Sequence, residues 1–306
     1  MRSLIAILPA ALALACGPGS AVDEYRLGTA DLGGAYYPLG QGIANLVTQH
    51  AGGITMVPIV TRGAIENPRL VSGGELELAL TNADLAYFAH HGLPPYRMPL
   101  DIMAAGALHP SVLHLLTTAR GDIRTFPELR GRRVAIGPAG GPTVTLTQLL
   151  LAAHGMTLDD IVPSFLSYSD GFSQLSDGNV DAAFALAGYP AAAVMQARAT
   201  LRLRFLSIDA TVLSAVTEEN PYYTVVDIPR EIYDTAEVAA ALAVDNVLIV
   251  NAAETPEVVY DIVTAIFGHL DDLRRTNAVA LQIDPERYDR LPIPLHPGAL
   301  RYFAGP

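Results

Sequence analysis

The sequence predicts an α/β protein with two doubly wound sheets facing each other across a ligand cleft, and three observations carry that prediction. Strand-like and helix-like segments alternate three times between residues 25 and 80, and the alternation resumes after residue 130. Strand ends in both stretches run into glycine-rich turns, among them Gly137 to Thr143, which reads G-P-A-G-G-P-T. With 306 residues, 51% of them hydrophobic and 16% charged, the chain is long enough for two ordinary domains and apolar enough to give each a core.

Composition narrows the partners. A net charge of −12 excludes the basic face that nucleic acid or an anionic membrane surface requires, and leaves open a small anion held by a few local donors. All 19 basic residues are arginine, so a charged carboxylate clamp here takes the form of a planar, bidentate guanidinium. Residues Met1 to Ala21 read as an export signal, with Arg2 ahead of the apolar run Leu4 to Ala15 and small residues after it. The run is about 12 residues, the length of a signal core and short of the roughly 20 that span a bilayer. A periplasmic or otherwise extracytoplasmic location is therefore expected. Cys16, the single cysteine, reads either as an acylated lipoprotein cysteine or as part of the removed segment, in which case no thiol chemistry is left.

Tyr25, Leu27 and Thr29 begin an extended segment ending at Asp31-Leu32-Gly33-Gly34, and Tyr36-Tyr37-Pro38 leads into a helical pattern through Ile43, Ala44, Leu46 and Val47. Ile54 to Val60 reads as a buried strand, Arg62-Gly63-Ala64 as a turn and Ile65 to Val71 as a short helix. Gly73-Gly74 stops that helix before the strand Leu76 to Leu80. Ligands of such sheets sit past the carboxyl ends of the strands. That rule selects three turns, Asp31 to Tyr37, Thr61 to Asn67 and Thr81 to Asp84, and each side chain in them has two readings. Tyr36 and Tyr37 close over a ligand, or one of them fills core. Arg62 meets a ligand carboxylate or is a surface charge, and Asn67 touches ligand or braces its turn. Thr81, Asn82 and Asp84 offer polar contacts at a strand end, with capping of the next helix as the alternative for Asp84.

These turns carry a family resemblance. The segments G-T-A-D-L-G-G-A-Y-Y-P-L-G (Gly28 to Gly40), R-G-A-I-E-N (Arg62 to Asn67) and S-G-G-E-L-E-L-A-L-T-N-A-D (Ser72 to Asp84) keep the order and spacing of one receptor group. So do L-R-G-R-R-V-A-I-G-P-A-G-G-P-T (Leu129 to Thr143), D-G-N-V-D-A-A-F-A-L-A-G-Y-P (Asp177 to Pro190) and P-I-P-L-H-P-G-A (Pro292 to Ala299). The chain resembles the TAXI solute receptors (TRAP-associated extracytoplasmic immunogenic proteins) over nearly all of its mature length. The resemblance implies a two-domain periplasmic binding protein of type II. Such a receptor takes a small organic anion, either a glutamate-like amino acid or a dicarboxylate or 2-oxo acid, and hands it to a TRAP-type membrane permease. Two departures bear on the ligand: Ala64 stands where the family has Ser, and Gly141-Pro142 where it has Ser-Gly. Each change removes a hydroxyl donor and Pro142 also removes an N–H, so either Arg62 compensates or the ligand differs.

The runs Asp101 to Leu108 and Val112 to Thr118 read as two extended segments parted by His109-Pro110-Ser111, and the resemblance implies a strand crossing between domains there. Phe126 to Gly131 reads as a turn with a short helix, and Arg132-Arg133 begins the strand that feeds Gly137 to Thr143. A strand that stops in such a turn and restarts as a helix leaves N–H groups converging, with the positive end of the helix dipole behind them. Gly137, Gly140, Gly141, Thr143 and Val144 are the anion-binding candidates, and the bland alternative is that the glycines only shape the turn. The missing Gly-Lys-Ser/Thr ending excludes a nucleotide phosphate loop. A strand around Phe165 to Tyr168, a helix from Phe172 to Leu175 and a strand from Ala182 to Ala187 follow, the last ending in Gly188, Tyr189 and Pro190, which face the cleft. After a helix and the strand Leu203 to Ile208, Val244 to Val250 rejoins the first domain, with helices from Glu257 to Leu270 and Leu273 to Leu281. The expected division is 24–111 with 220–306 against 112–219, joined by a two-strand hinge.

Enzymatic chemistry has no support in the sequence. The adjacent His90 and His91 do not share one face, and His109 and His114 lack zinc spacing, so solvated or core histidine is the reading for the eight. No nucleophile elbow, zincin helix or dinucleotide fingerprint occurs. The expectation is a monomeric binding protein without cofactor or metal, with a ligand-dependent envelope sensor of the same fold as the alternative.

Overall fold

The computed structural model describes residues 23–30, 32, 34–235 and 239–305. The export segment with Cys16 lies outside them, as do Asp31 and Gly33 of the first turn. β1 (Asp23–Gly28), β2 (Ile54–Ile59) and β3 (Leu78–Asn82) alternate with α1 (Tyr36–His50), α2 (Asn67–Ser72) and α3 (Ala83–His91). After β4 (Ile102–Thr118) come β5 (Arg133–Ala135), α4 (Pro142–Ala153), β6 (Val162–Ser164), α5 (Tyr168–Ser176), β7 (Ala182–Ala187) and α6 (Ala192–Arg198). The chain continues through β8 (Leu203–Phe205), α7 (Ala210–Glu219), β9 (Tyr223–Ile228) and α8 (Arg230–Tyr233). It closes with β10 (Ala239–Asn251), α9 (Pro256–Phe267), α10 (Leu270–Thr276) and α11 (Pro297–Phe303).

The sheet order is β2-β1-β3-β10-β4-β7-β5-β6, with β8 on β4 and β9 on β10. Parallel patches at the two ends, β2-β1-β3 and β7-β5-β6, flank the long antiparallel pair β10-β4. Strands with helices on both faces are buried on both sides, which is why β7 is an unbroken apolar run and β3 is apolar from Leu78 to Leu80 before its polar end. In the first half, Leu27, Leu78 and Leu80 pack against Leu39, Ile43 and Val47 of α1 and Ile262 of α9. In the second, Ala183 and Ala185 of β7 let Phe172 and Leu175 of α5 and Val194 of α6 come close, and Ile228, Tyr233, Ala241 and Ala243 join the same cluster. No helix among the described residues is long and apolar enough to cross a membrane.

Three local readings change. The two runs around His109-Pro110-Ser111 are one strand, because Pro110 falls at a register irregularity where the missing N–H breaks no regular ladder. The strand expected at Phe165 to Tyr168 is Val162–Ser164, and Tyr168 instead opens α5, whose N-cap Ser167 accepts from the Asp170 N–H. The single helix from Leu273 to Leu281 is split at Asn277, whose side chain caps a following 3-10 turn by accepting from Val279 N–H. The helices α7, α8 and α11 and the strand β9 carry no reading from the sequence.

Candidate ligand-binding site

The site begins at the crossing of β4 and β10. Between the pairs Asp245–Pro110 and Val247–Ala107, β10 contributes only Asn246 while β4 contributes Leu108 and His109. Such a bulge leaves a backbone group outside the ladder and re-aims a side chain. Asn246, fully buried, answers the first effect: its Nδ2 donates to the His109 carbonyl at 2.7 Å and to Ser111 Oγ at 2.9 Å. Its Oδ1 accepts from the Tyr36 hydroxyl at 2.6 Å and from Asn82 Nδ2 at 3.0 Å. The re-aimed side chain is His109, 1% exposed, and neither of its ring nitrogens has a hydrogen-bond partner within the protein.

Above this hub lies a cavity of about 430 Å³. Strand ends and helix starts line it: Ala30 after β1, Gly34 to Tyr36 at α1, and Asn82 at the end of β3, the N-cap of α3. Pro142 at α4, Tyr168 and Ser169 at α5, and Ala185 to Gly188 at the end of β7 complete the ring, with Pro190 to Ala193 entering α6. Ala64, His109, Ser111 and Val279 contribute the remainder, and no charged side chain stands among the described lining residues. First-turn N–H groups have no intrahelical acceptor, so these helix starts make a positive rim without a cationic side chain.

Burial sets the protonation states. It pushes the His109 imidazole down to about 4 and the Asp84 carboxyl up to about 6. Asp84 sits just behind the cavity, accepting from Leu85 N–H at 2.8 Å and from the Tyr223 hydroxyl at 2.9 Å. The Tyr36 hydroxyl is held well above its ordinary value, first by burial and then by the Asp84 charge. Near neutral pH the cavity therefore offers a neutral imidazole and un-ionised tyrosines.

Of the residues singled out in the sequence, Tyr36, Ala64, Asn82, Gly188 and Pro190 line the cavity. Others stand behind the lining. Thr81 donates to the Ala64 carbonyl, and buried Asn67 donates to the Thr29 and Leu80 carbonyls while accepting from Thr61. Gly63, at φ +89°, gives its N–H to Thr61 Oγ1. Thr143 pairs with the Tyr168 hydroxyl at 2.6 Å. In the glycine turn, Gly141 N–H bonds the Pro138 carbonyl and Val144 N–H the Gly141 carbonyl. Gly137 and Gly140 adopt φ +86° and +71°, a conformation that favours glycine. Tyr37 is half-buried outside the lining, the Tyr189 carbonyl accepts from Gln282 Nε2, and the Arg62 side chain is 91% exposed beside Glu66.

His109, Ser111, Tyr168 and Asn246 escaped the sequence reading. The signals were a Pro inside an apolar run and one asparagine between Val244 and Val250, neither of which reveals cross-strand register. For a metal, the one described grouping with suitable ligand types is His50, His269 and Asp272. Its two rings stack 3.5 Å apart at 9°, so their in-plane lone pairs run parallel instead of converging, and Asp272 pairs with Arg275.

Two α/β halves joined by long shared strands, with a cavity at the strand ends, make the fold that of the periplasmic solute-binding proteins. The aliphatic sulphonate binding protein SsuA of Escherichia coli has this fold: 15% identity, 86% of this chain and 80% of that one covered, TM-score 0.51. A sulfonate-binding SsuA of Methylobacillus flagellatus aligns at 14% identity over 92% and 84%, TM-score 0.53. A TctC solute binding protein from Polaromonas aligns at 17% identity over 89% of each chain, TM-score 0.52. The chain belongs to the NMT1-like family, whose model matches residues 27–304.

Proposed function

We propose that this protein is an extracytoplasmic solute receptor that binds a small organic anion in the cavity and delivers it to a membrane permease. The observation that carries this reading is the convergence of the starts of α1, α4 and α5 on one cavity of about 430 Å³; α3 starts there too, but Asp84 in its first turn offsets its positive end. Each helix start acts as roughly half a positive charge, so together they favour an anion where no arginine lines the wall. The volume suits a small molecule. The solute-binding neighbours and the NMT1-like family support a receptor, and the TAXI resemblance further suggests a TRAP-type permease as partner.

Binding would proceed by enclosure. The half built on 24–111 and the half built on 112–219, whose core also takes in Ile228, Tyr233, Ala241 and Ala243, would close about β4 and β10, and water excluded from the cavity strengthens each bond to the ligand. The lining residues Tyr36, Asn82 and Gly188 form the contact surface, with the turn Gly137 to Thr143 bracing it through Thr143 and Tyr168. The ligand would leave unaltered: His109 and Ser111 both line the cavity, but neither imidazole nitrogen is hydrogen-bonded to a hydroxyl, the link a nucleophile–base pair needs.

Thermal-shift screening of the purified protein against amino acids, 2-oxo acids and carboxylates tests the reading. A true ligand at about 100 times its Kd adds roughly 2.7 kcal/mol of stability. Absence of stabilisation by every small anion refutes it, and chemical conversion of the bound ligand on incubation refutes the non-enzymatic part. Recovery of a signalling protein instead of a permease in a membrane pull-down selects the sensor alternative.

A further inference from the structure

We infer that His109 is the hydrogen-bond partner of the ligand's head group, and that the site takes a small aliphatic anion with one acid group and no ammonium group. This rests on the receptor reading above and narrows it.

The imidazole is the buried polar group of this cavity wall that the protein leaves unanswered. Both nitrogens are shielded from solvent and neither has a partner, while the bulge that holds the residue is fixed by Asn246 through the His109 carbonyl. A buried unpartnered polar group destabilises the empty protein, and such groups in native structures call for a partner outside the chain. Ser111 stands beside it: its oxygen accepts from Asn246, so its own hydrogen remains to be given. Because burial keeps His109 neutral near pH 7, it offers one N–H to an acid oxygen and one acceptor nitrogen to a ligand hydroxyl or an accompanying water.

The rest of the wall decides how many charges the ligand carries. An ammonium group needs a carboxylate, and the nearby carboxylate, Asp84, is behind the lining and already engaged with Leu85 N–H and the Tyr223 hydroxyl. A second acid group along the β7 wall would meet the apolar side chains of Ala185, Leu186, Ala187 and Val279, which cannot answer it. Burying an unpaired charge is heavily penalised, whereas an alkyl body gains from those same surfaces. One anionic head, held by neutral donors and by the starts of α1, α4 and α5, is the chemistry the wall matches.

Calorimetric titration of the purified chain with butyrate, 2-oxobutyrate, succinate and L-glutamate separates the possibilities. The expectation is that a single-headed probe binds at least tenfold more tightly than either double-headed one. His109→Leu, close in volume, is expected to lose about 10- to 100-fold in affinity for the best probe. The same substitution raises the melting temperature of the ligand-free protein by about 2 °C or more, because it removes an unanswered polar group. His109→Gln, which keeps a donor and an acceptor, retains more affinity than the leucine variant. A merely structural histidine would show neither the opposed shifts nor the rescue. Tighter binding of succinate or L-glutamate overturns the ligand class, and unchanged affinity of His109→Leu overturns the role of His109. Failure of all four probes to bind the unsubstituted protein overturns the anion-receptor reading itself, a result distinct from both.

Discussion

Replacing Asn246 by Ala is the sharpest test of how the site is held together. Its amide uses every bonding direction it has: two hydrogens to the His109 carbonyl and Ser111, at 2.7 and 2.9 Å, and two lone pairs for Tyr36 and Asn82, at 2.6 and 3.0 Å. The orientation is unambiguous, since a backbone carbonyl can only accept. On truncation, Tyr36 and Asn82 border the cavity and can turn to water, but the His109 carbonyl lies in the bulge with no ladder partner. One stranded carbonyl costs about 1–3 kcal/mol and the weakened bonds add about 1 kcal/mol, so the expected loss is about 2–4 kcal/mol. Urea unfolding followed by far-ultraviolet circular dichroism reads it as a fall in the midpoint at unchanged slope. Asn246→Asp sharpens the comparison: it keeps the acceptors but turns an oxygen toward the His109 carbonyl, so at pH 7 it should be at least as damaging. A loss below about 1 kcal/mol in both variants would refute the hub as the organiser of the cavity floor.

Three further outcomes follow from particular residues. Burial raises the Asp84 carboxyl from 3.8 to about 6, so its contribution to stability is fully present below pH 3.8 and is lost as pH rises through 6. Asp84→Asn should therefore flatten the stability profile between pH 4 and 7 by about 2–3 kcal/mol, and parallel profiles for the two proteins would exclude this assignment. A Cβ at Gly188 would stand 3.1 Å from Val279 Cγ1 and 3.3 Å from His109 Cδ2, so Gly188→Val should cost about tenfold or more in ligand affinity by calorimetry. Arg62→Ala should change affinity less than about threefold, because an exposed guanidinium contributes little; a tenfold loss would instead make Arg62 a carboxylate clamp on closure.

What the sequence made legible was burial. β7 is an apolar run because it lies inside the sheet, between β4 and β5, and is buried on both faces, and α1 shows its period because only one stripe meets the core. The strand-end rule led to Tyr36, Asn82 and Gly188 because glycine and polar residues mark where strands stop. The crossing was opaque for a physical reason: Pro110 imitates a strand break, and only the partner strand reveals that it lies at a bulge. The glycine turn is readable only in part, for a related reason. Its residues announce a conformation, while the Gly141 and Val144 N–H groups answer carbonyls within the turn. Histidine spacing, sound for metal sites, says nothing of a single imidazole left without a partner.

The bulge at His109 also has a mechanical meaning. The floor of the cavity and the axis about which the two halves would swing are built from the same few residues, so a bond made there has almost no lever arm. Torque for closing would have to come from contacts far from that axis, such as the reach of Gln282 to the Tyr189 carbonyl at the rim. Choice of ligand at the fulcrum and the drive to close at the rim would then be separable by substitution, which lets one be altered without the other.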